Sequence, residues 1–430
     1  MKRYDAYKST GIPWIPEVPE HWEVRMLSQL AKEHYKSNKD VHNRNLLSLS
    51  YGRIINKDIN RQTGLTPASY DTYQIVEDGN IVLRLTDLQN DQRSLRVGFC
   101  TQEGIIISAY LALEARESMH PPFLYLLLHV TDLMKVFYCM GNGLRQNLNW
   151  GELRKLLCIS PPLSEQRAIV AYIERKERQI DTYIARQAEQ IERLKELRQT
   201  IISHAVTRGI HPYTRFRPTG IPWIPEVPEH WECVELKRVT VFNPSRKENI
   251  DGDTLVGYAP MEIVRSNMES CLTIKVCKLT AGLTYFEEGD VVLAKVTPCF
   301  ENGNVAIIPK MIHYCGFGSS ELFVYRCKDK LAPKLLFYYF QSAGFVSAGT
   351  ASMTGTGGLK RVSPAFARNA KIPLPPLSEQ HAIVAYIEKK TATVDRMINA
   401  CHEQTELMKA YKQRLISDAV TGRINILPHD

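Results

Sequence analysis

The stretch TGIPWIPEVPEHWE occupies Thr10–Glu23, and the same letters recur unchanged at Thr219–Glu232. A second motif also occurs twice, as PPLSEQRAIVAYIE at Pro161–Glu174 and, with one difference, as PPLSEQHAIVAYIE at Pro375–Glu388. Internal repetition of this kind determines the overall plan of a chain more directly than any single predicted element does. The sequence therefore predicts two copies of one unit, with a pseudo-twofold internal repeat.

The segments between these motifs have nearly equal lengths but different sequences. The first motif precedes the second by 151 residues in one copy (161 − 10) and by 156 in the other (375 − 219). A third match follows, QTIISHAV at Gln199–Val206 and QRLISDAV at Gln413–Val420. A duplication alone does not explain why the repeated motifs stay nearly identical while the segments between them diverge. We therefore expect a common scaffold that carries two different surfaces.

The pattern becomes helical after each PPLSEQ motif. We expect Ser164 and Ser378 to cap these helices, with Glu165 and Glu379 placed favourably in the first turn. The preceding prolines cannot continue a helix backwards. Each helix spans about 40 residues, which corresponds to roughly 60 Å.

A stripe of mostly apolar residues at intervals of seven runs along each helix, the pattern of a coiled coil. The stripe positions are Ile173, Ile180, Gln187, Leu194 and Ile201 in the first helix, and Ile387, Val394, Cys401, Met408 and Leu415 in the second. Gln187 interrupts the first stripe in the register of Cys401, which could fix the alignment. An antiparallel pair within one chain is the economical topology, and a coiled coil between two chains is the alternative.

The intervening segments predict a mixed α and β fold. Gly79–Arg84 and Gly289–Lys295 each indicate a turn that enters a buried strand and ends on a basic residue. A further strand is expected at Gly104–Tyr110 in the first copy and at Gly318–Val324 in the second.

Polar loops near the ends of these segments are the candidate binding residues. The glycine-rich loops Gly141–Leu148 and Gly355–Val362 have the flexibility and the cations to hold a phosphate, and Thr297–Asn304 is dense in amide and carboxylate groups. Arginines suit a guanine edge, and glutamine or asparagine suits an adenine edge. The alternative for each is an ordinary solvated turn. The candidates are Arg84, Arg145, Gln146, Asn147, Lys295, Thr297, Glu301, Asn302, Lys360 and Arg361.

Composition permits a polyanionic partner without requiring one. The 430 residues have a formal net charge of +8. The ten cysteines show neither a C-x-x-C pair nor zinc-ligand spacing, so we expect buried, reduced thiols. A secretory signal and a membrane-length apolar run are both lacking, which predicts a cytoplasmic protein.

Catalytic motifs are missing from the sequence. Asn243–Arg246, NPSR, lacks the second proline and the aromatic residue of a methyltransferase loop, and Glu174–Lys176 falls inside the first long helix. The sequence has no G-x-x-x-x-G-K-[ST] loop and no H-E-x-x-H pair. We therefore expect a binding protein with no enzyme activity, metal or cofactor of its own.

The paired motifs Trp14–Trp22 and Trp223–Trp231, with Pro161–Val170 and Pro375–Val384, closely resemble the specificity subunits of type I restriction–modification systems. The second variable segment also resembles a common type of recognition domain in that family. The resemblance implies target recognition domains at residues 1–160 and 213–374, each α/β (α+β), and spacer helices within 161–212 and 375–430. These helices would form an antiparallel coiled coil.

The same resemblance implies the function and the partners. Each recognition domain would read one half of a split, asymmetric double-stranded DNA site, and the helices would set the gap between the halves. The helices would also dock two modification subunits, which use S-adenosylmethionine to methylate adenine. Restriction subunits would supply ATP-driven translocation and cleavage, so S-adenosylmethionine, ATP and magnesium belong to the partners.

Two alternatives remain at the level of sequence. One is an orphan or decoy DNA-binding subunit that acts without a methyltransferase, and the other is an adaptor whose domains bind protein. One departure limits transfer between the copies, because the glycine-rich loop of the second copy lacks the Gln146-Asn147 pair of the first and has Arg361-Val362 instead.

Overall fold

A computed structural model describes residues 3–39, 41, 43–58, 69–91, 94–140, 147–212, 214–246, 249–266, 268–279, 282–356 and 358–427. The chain divides into two compact units. Unit 1 comprises Met1–Arg186 and Gln404–Asp430, and unit 2 comprises Gln187–Glu403. Both units combine strands and helices, so the predicted mixed fold is confirmed.

Unit 1 contains the first twelve strands. They are β1 Tyr7–Ile12, β2 Ile15–Pro19, β3 Glu23–Met26, β4 Ala31–His34, β5 Leu47–Ser50, β6 Arg53–Asn56, β7 Gln74–Val76, β8 Ile81–Leu83, β9 Val97–Phe99, β10 Gly104–Ile106, β11 Leu111–Ala115 and β12 Leu157–Ser160. The helices that begin in this unit are α1 Leu27–Leu30, α2 Pro121–Leu133, α3 Trp150–Leu153 and the long α4 Leu163–Arg208.

The central sheet of unit 1 has the order β4-β11-β8-β9 and is antiparallel throughout. Strand β8 is buried on both faces because each face meets a different apolar cluster. Ile81 and Leu83 join the main core with α2, whereas Val82 faces a smaller cluster that contains Ile106. Such a strand reads as a continuous apolar run, which is why the sequence predicted it correctly.

Unit 2 contains the remaining strands. They are β13 Phe216–Ile221, β14 Ile224–Pro228, β15 Glu232–Glu235, β16 Thr240–Phe242, β17 Leu255–Ala259, β18 Leu272–Lys275, β19 Thr284–Glu287, β20 Val291–Ala294, β21 Val305–Ile307, β22 Cys315–Gly318, β23 Leu322–Cys327 and β24 Lys371–Leu374. Its helices are α5 Leu236–Val239, α6 Pro333–Phe340, α7 Ala343–Ala351, α8 Pro364–Asn369 and the long α9 Leu377–Val420, whose end returns to unit 1.

The central sheet of unit 2, β16-β23-β20-β21, repeats that of unit 1 strand for strand. Val291 and Leu293 of β20 enter the main core, and Val292 and Ala294 enter a second cluster, as on β8. The second sheet is repeated too, because the pairs β5-β6 and β10-β7 of unit 1 correspond to β17-β18 and β22-β19 of unit 2. A parallel bridge between Leu46 and Ile105 joins the two pairs of unit 1, as β17 and β22 pair in parallel in unit 2. Both sheets of the scaffold are therefore duplicated.

The predicted equivalence of Gly104–Tyr110 and Gly318–Val324 is wrong. Strand β10 pairs with β7 as β22 pairs with β19, so β10 corresponds to β22. Gly318–Val324 covers the end of β22 and the start of β23, which corresponds to β11. The two segments share only their first glycine, which begins β10 in unit 1 but ends β22 in unit 2.

Glutamine, and not serine, fixes the start of each long helix. The helices begin at Leu163 and Leu377, so both serines lie inside the first turn and the predicted serine caps are wrong. The buried Gln166 side chain donates to Pro161 O (2.8 Å) and accepts from His120 N (2.7 Å), the residue that precedes α2. Gln380 makes the same two bonds to Pro375 O and Ala332 N, before α6. The motif therefore joins the starts of two helices in each unit.

The two long helices pair within the chain in antiparallel fashion. In unit 1 the start of α4 shares the core with the end of α9, and Lys412 contacts Asp181 (2.9 Å) while the Tyr183 hydroxyl donates to Gln404 (2.8 Å). In unit 2 the end of α4 shares the core with the start of α9, and Arg198 contacts Asp395 (3.0 Å). Residue numbers rise on one helix as they fall on the other, so the predicted antiparallel topology is confirmed.

The predicted stripe is buried at most of its positions. Ile173, Ile180, Gln187, Ile387, Val394, Cys401 and Leu415 are buried, and Leu194, Ile201 and Met408 are half-buried. Near the end of α4 the fully buried residue is Ile202, so the prediction of Ile201 as the contact there is corrected by one position. An α-helix has 3.6 residues per turn, so a strict seven-residue stripe drifts by about 20° per heptad.

The opening motif of each unit packs on the end of a long helix. Trp22 and Trp231 are fully buried. Gly422, two residues after α9, lies over Trp22 with φ +72°, and Gly209, directly after α4, lies over Trp231 with φ +75°. Each neighbouring histidine of the motif also bonds the glutamate of the second motif, His21 to Glu165 (2.8 Å) and His230 to Glu379 (2.9 Å). The repeated letters are thus residues that contact one another.

We expect Gly422→Ala to destabilise unit 1 by about 2–4 kcal/mol, through left-handed backbone strain and crowding against Trp22. A Cβ there would lie 2.9 Å from the Trp22 ring and 2.6 Å from Pro19 Cδ. Gly11→Ala is the matched control because Gly11 has φ +70° but no atom within 4 Å of a Cβ. Thermal unfolding should show a larger loss for Gly422→Ala, and equal losses would contradict the packing argument.

Candidate nucleic-acid interface

The connection from β20 to β21 in unit 2 presents two polar side chains on an anchored turn. The turn is closed by backbone bonds from Phe300 N to Val296 O and from Asn302 N to Pro298 O, both 3.0 Å. The Phe300 ring is fully buried against Phe345 and Gly349. Glu301 and the neighbouring Asn302 are exposed, and within the described ranges neither side chain has a hydrogen-bond partner. Their functional groups are available to a ligand.

Thr297 joins this turn to the glycine-rich loop. Its hydroxyl donates to Gly358 O (2.8 Å) and accepts from Lys360 N (3.0 Å), while Thr297 N donates to Lys360 O (3.0 Å). Val362 N donates to Lys295 O (2.8 Å) on the same side. The predicted residues of unit 2 are therefore brought together, but Thr297 acts inside the loops as a connector.

Two of the predicted cations are already engaged by the protein. Arg361 makes a bidentate pair with Glu321, with bonds of 2.8 and 2.9 Å. The pair raises the pKa of Arg361 and lowers the pKa of Glu321, so both groups are charged at neutral pH. Lys295 Nζ donates to Ser320 O (2.6 Å) and lies 5.6 Å from the Phe323 ring centroid. The exposed Lys360 ammonium has no partner among the residues described.

The same connection in unit 1 runs from β8 to β9. Leu148 N donates to Leu85 O (2.9 Å), as Val362 N donates to Lys295 O in unit 2. Arg84 N donates to Arg96 O (2.9 Å), as Ala294 N donates to Asn304 O (3.0 Å). Leu85 is therefore the counterpart of Lys295, and the half-buried Arg84 lies one position earlier. The two strand-end cations are not equivalent.

The first glycine-rich loop lies mostly beyond the described residues, and Arg145 and Gln146 fall there. Asn147 is described and exposed, and its Oδ1 accepts from Asp87 N (2.9 Å). Asp87 has φ +56°, so this bond holds a backbone conformation that few residues adopt. The adenine contact suggested for Asn147 stays a prediction.

Sequence reasoning missed the loop 84–91 and the residue that organises it. Arg96 is fully buried, and its guanidinium donates to Thr86 O (2.7 Å), to Arg84 O (3.3 Å) and, through Nε, to the Tyr138 hydroxyl (3.3 Å). A buried cation is stable only when its donors are satisfied, and these carbonyls satisfy them. The polar run after β8 was the available signal, but nothing local indicates that Arg96 points inward.

The described residues contain no cluster of three or more His, Cys, Asp or Glu side chains that could bind a metal ion, and none of their helices has the length and hydrophobicity of a membrane span. None of the ten cysteines forms a disulfide. Cys100, Cys158, Cys315 and Cys401 are buried as expected, but Cys139 and Cys277 are exposed, so that expectation is wrong for those two.

Known proteins resemble the chain in both sequence and fold. Residues 228–404 match the family described as "Type I restriction modification DNA specificity domain". The EcoAI specificity subunit of Escherichia coli is 33% identical over 176 residues, 40% of this chain and 30% of that protein. The EcoEI specificity subunit of the same species is 29% identical over 214 residues, 49% of this chain and 36% of that protein. The match thus spans about a third of the length of these relatives.

Longer but weaker similarities cover almost the whole chain. The putative MjaX specificity subunit of Methanocaldococcus jannaschii is 23% identical, with 96% of each chain covered. The HsdS subunit structure from Thermoanaerobacter tengcongensis superposes with TM-score 0.55 at 18% identity, over 95% of this chain and 98% of that one. A chain from a structural study of type I R-M complex assembly and conformational transition gives 0.67 at 17% identity, over 94% and 98%. Both superpositions show the same fold.

Unit 2 thus resembles a DNA specificity domain of the type I restriction–modification class, and unit 1 repeats its scaffold. The whole chain is similar to type I restriction–modification specificity subunits, which is the resemblance that the paired motifs predicted.

We expect Thr297→Val to loosen the contact between the two loops of unit 2. Valine keeps the shape but removes the hydroxyl bonds to Gly358 and Lys360, and each lost bond costs about 1 kcal/mol. Amide hydrogen exchange at Lys360 should become roughly tenfold faster. Thr297→Ser keeps the hydroxyl and should exchange at nearly the original rate; unchanged exchange in the valine variant would show that Thr297 is not the connector.

Proposed function

We propose that this chain selects the DNA site of a type I restriction–modification complex, each unit reading one half of a split, asymmetric double-stranded target. The observation that carries the proposal is that one scaffold occurs twice with different residues on the loops that follow β8 and β20. A duplicated scaffold places two recognition surfaces on one chain. Different loop residues then imply different half-sites.

The groups on the unit 2 loops suit DNA better than a protein surface. Lys360 offers a phosphate a cation that has no partner among the described residues, and Glu301 and Asn302 offer an acceptor and an amide for base edges. Arg361 adds a second cation close by, held by Glu321 in the free chain. The net charge of +8 agrees with a polyanionic partner.

The long helices support the second part of the proposal, in which α4 and α9 fix the separation of the half-sites and dock two modification subunits. Each helix contributes residues to both units, so one continuous pair of helices serves both recognition surfaces. We propose further that the chain is non-catalytic and works in the cytoplasm. S-adenosylmethionine, ATP and magnesium would then be bound by the modification and restriction subunits.

The function is tested by isolating the chain from its native cells and mapping the methylated adenines of their genome. We expect an adenine methyltransferase to co-purify and methylation to fall on a split site with two different halves. A deletion strain lacking the chain should lose that methylation and serves as the control. If no methyltransferase co-purifies and the genome contains no methylated split site, the proposal fails. The chain would then be an orphan DNA-binding subunit or an adaptor.

Glu321→Gln should strengthen DNA binding by releasing Arg361. A neutral partner leaves the guanidinium charge uncompensated, so one further phosphate contact should form and the slope of log K against log salt should steepen by about 1. Glu288→Gln makes the same charge change at the exposed turn before β20, at the opposite end of that strand, and should leave the slope unchanged. Binding without salt dependence in all three proteins would instead favour a protein-binding adaptor.

A further inference from the structure

The connections after β8 and β20 share one construction, although their sequences do not align. Each leaves the central sheet beside the end of a glycine-rich loop, through the matching bonds at Leu85 and Lys295 described above. Each then buries one apolar side chain completely, Leu88 in the core of unit 1 and Phe300 in the core of unit 2. We call Leu88 and Phe300 the anchors, and we call the two residues that follow each anchor its tip.

The two tips carry side chains of the same size and shape that differ in one chemical group. Gln89-Asn90 follows Leu88, and Glu301-Asn302 follows Phe300. All four residues are exposed. The Gln89 side chain has no partner in the described part of the chain, and Asn90 Nδ2 donates to Asp87 Oδ1 (2.7 Å). The tips thus differ in whether the first residue ends in an amide or a carboxylate.

Both tips are held firmly, although by different means. In unit 1 the Arg96 guanidinium donates to backbone carbonyls on both sides of the tip, including Thr86 O (2.7 Å) and Asp91 O. In unit 2 the Phe300 ring fills the space over Gly349, where a Cβ would lie 2.2 Å from the ring. A polar group that is held in place loses little freedom on binding, so it can contribute to selectivity.

From this geometry we propose that the two tips are equivalent base-reading elements, and that Gln89 and Glu301 make the two half-sites differ. A glutamine side chain can both donate to and accept from adenine, at N6 and N7 in the major groove, whereas a glutamate carboxylate only accepts, as from cytosine N4. Gln89 therefore selects adenine at one position of its half-site, and Glu301 selects cytosine at the equivalent position of the other. This inference rests on the proposed function.

The test exchanges the amide of Gln89 for a carboxylate, and the carboxylate of Glu301 for an amide, without changing side-chain size. Gln89→Glu should move the preference at one position of one half-site from adenine to cytosine, and Glu301→Gln should make the reverse change in the other. Gln89→Ala should reduce the preference for adenine over the other bases at that position by about five- to a hundredfold. Each variant is taken in the form isolated from its cells, and the base preference is read by selection from DNA randomised across the wild-type site.

Gln102→Glu is the matched control, since Gln102 is an exposed glutamine of unit 1 outside the tip, bonded to Asn56 (2.5 Å). It should leave both half-sites unchanged. If the wild-type chain selects no split site, the proposed function fails before the tips are tested. If it does, and Gln89→Glu leaves every base preference intact, the tip assignment is overturned. Loss of all binding by both Gln89→Glu and Gln89→Ala in folded protein would overturn it too, because a base reader alone should relax one position.

Discussion

The burial of one tryptophan under the end of a long helix is the contact on which each unit depends. Trp22 lies beneath Gly422 after α9, and Trp231 lies beneath Gly209 after α4. A Cβ would lie 2.9 Å from the Trp22 ring at Gly422 and 3.2 Å from the Trp231 ring at Gly209, and both glycines have a left-handed backbone that favours glycine. The histidine beside each tryptophan reaches the glutamate at the start of the other long helix, so one short motif holds the start of one helix and the end of its partner. This explains why these letters are identical in both copies.

The division between constant scaffold and variable loops follows from that arrangement. Buried residues such as Gln166 and Gln380 satisfy backbone groups at fixed positions, and few other side chains can make the same bonds. The residues after β8 and β20 make no such contribution at their tips, so the scaffold places little constraint on them. Two units can therefore keep one fold and present different chemical groups, as the proposed reading of two unlike half-sites requires.

Two cationic side chains on the loops of unit 2 are already bound to other groups of the same unit. Arg361 is paired with Glu321, and Lys295 donates to the backbone carbonyl of Ser320, so both side chains already have partners in the free chain. Engagement of a phosphate by Arg361 would break its pair with Glu321 and leave that carboxylate without its cation beside another anion. The pair therefore opposes anion binding by Arg361 in the free chain.

The sequence by itself determined the duplicated plan, the two long antiparallel helices and the buried strands β8 and β20. These features rest on letter-for-letter repeats and on local periodicity, which a single chain displays directly. Only the tertiary structure decided which polar side chains are free to bind. Thr297, Arg361 and Asn147 are occupied by partners distant in sequence, Arg96 is buried beneath the loop that it orders, and Gln89 stands exposed at the position matching Glu301. Hydrogen-bond partners and burial are set by residues that come together only on folding, and therefore no local pattern could reveal them.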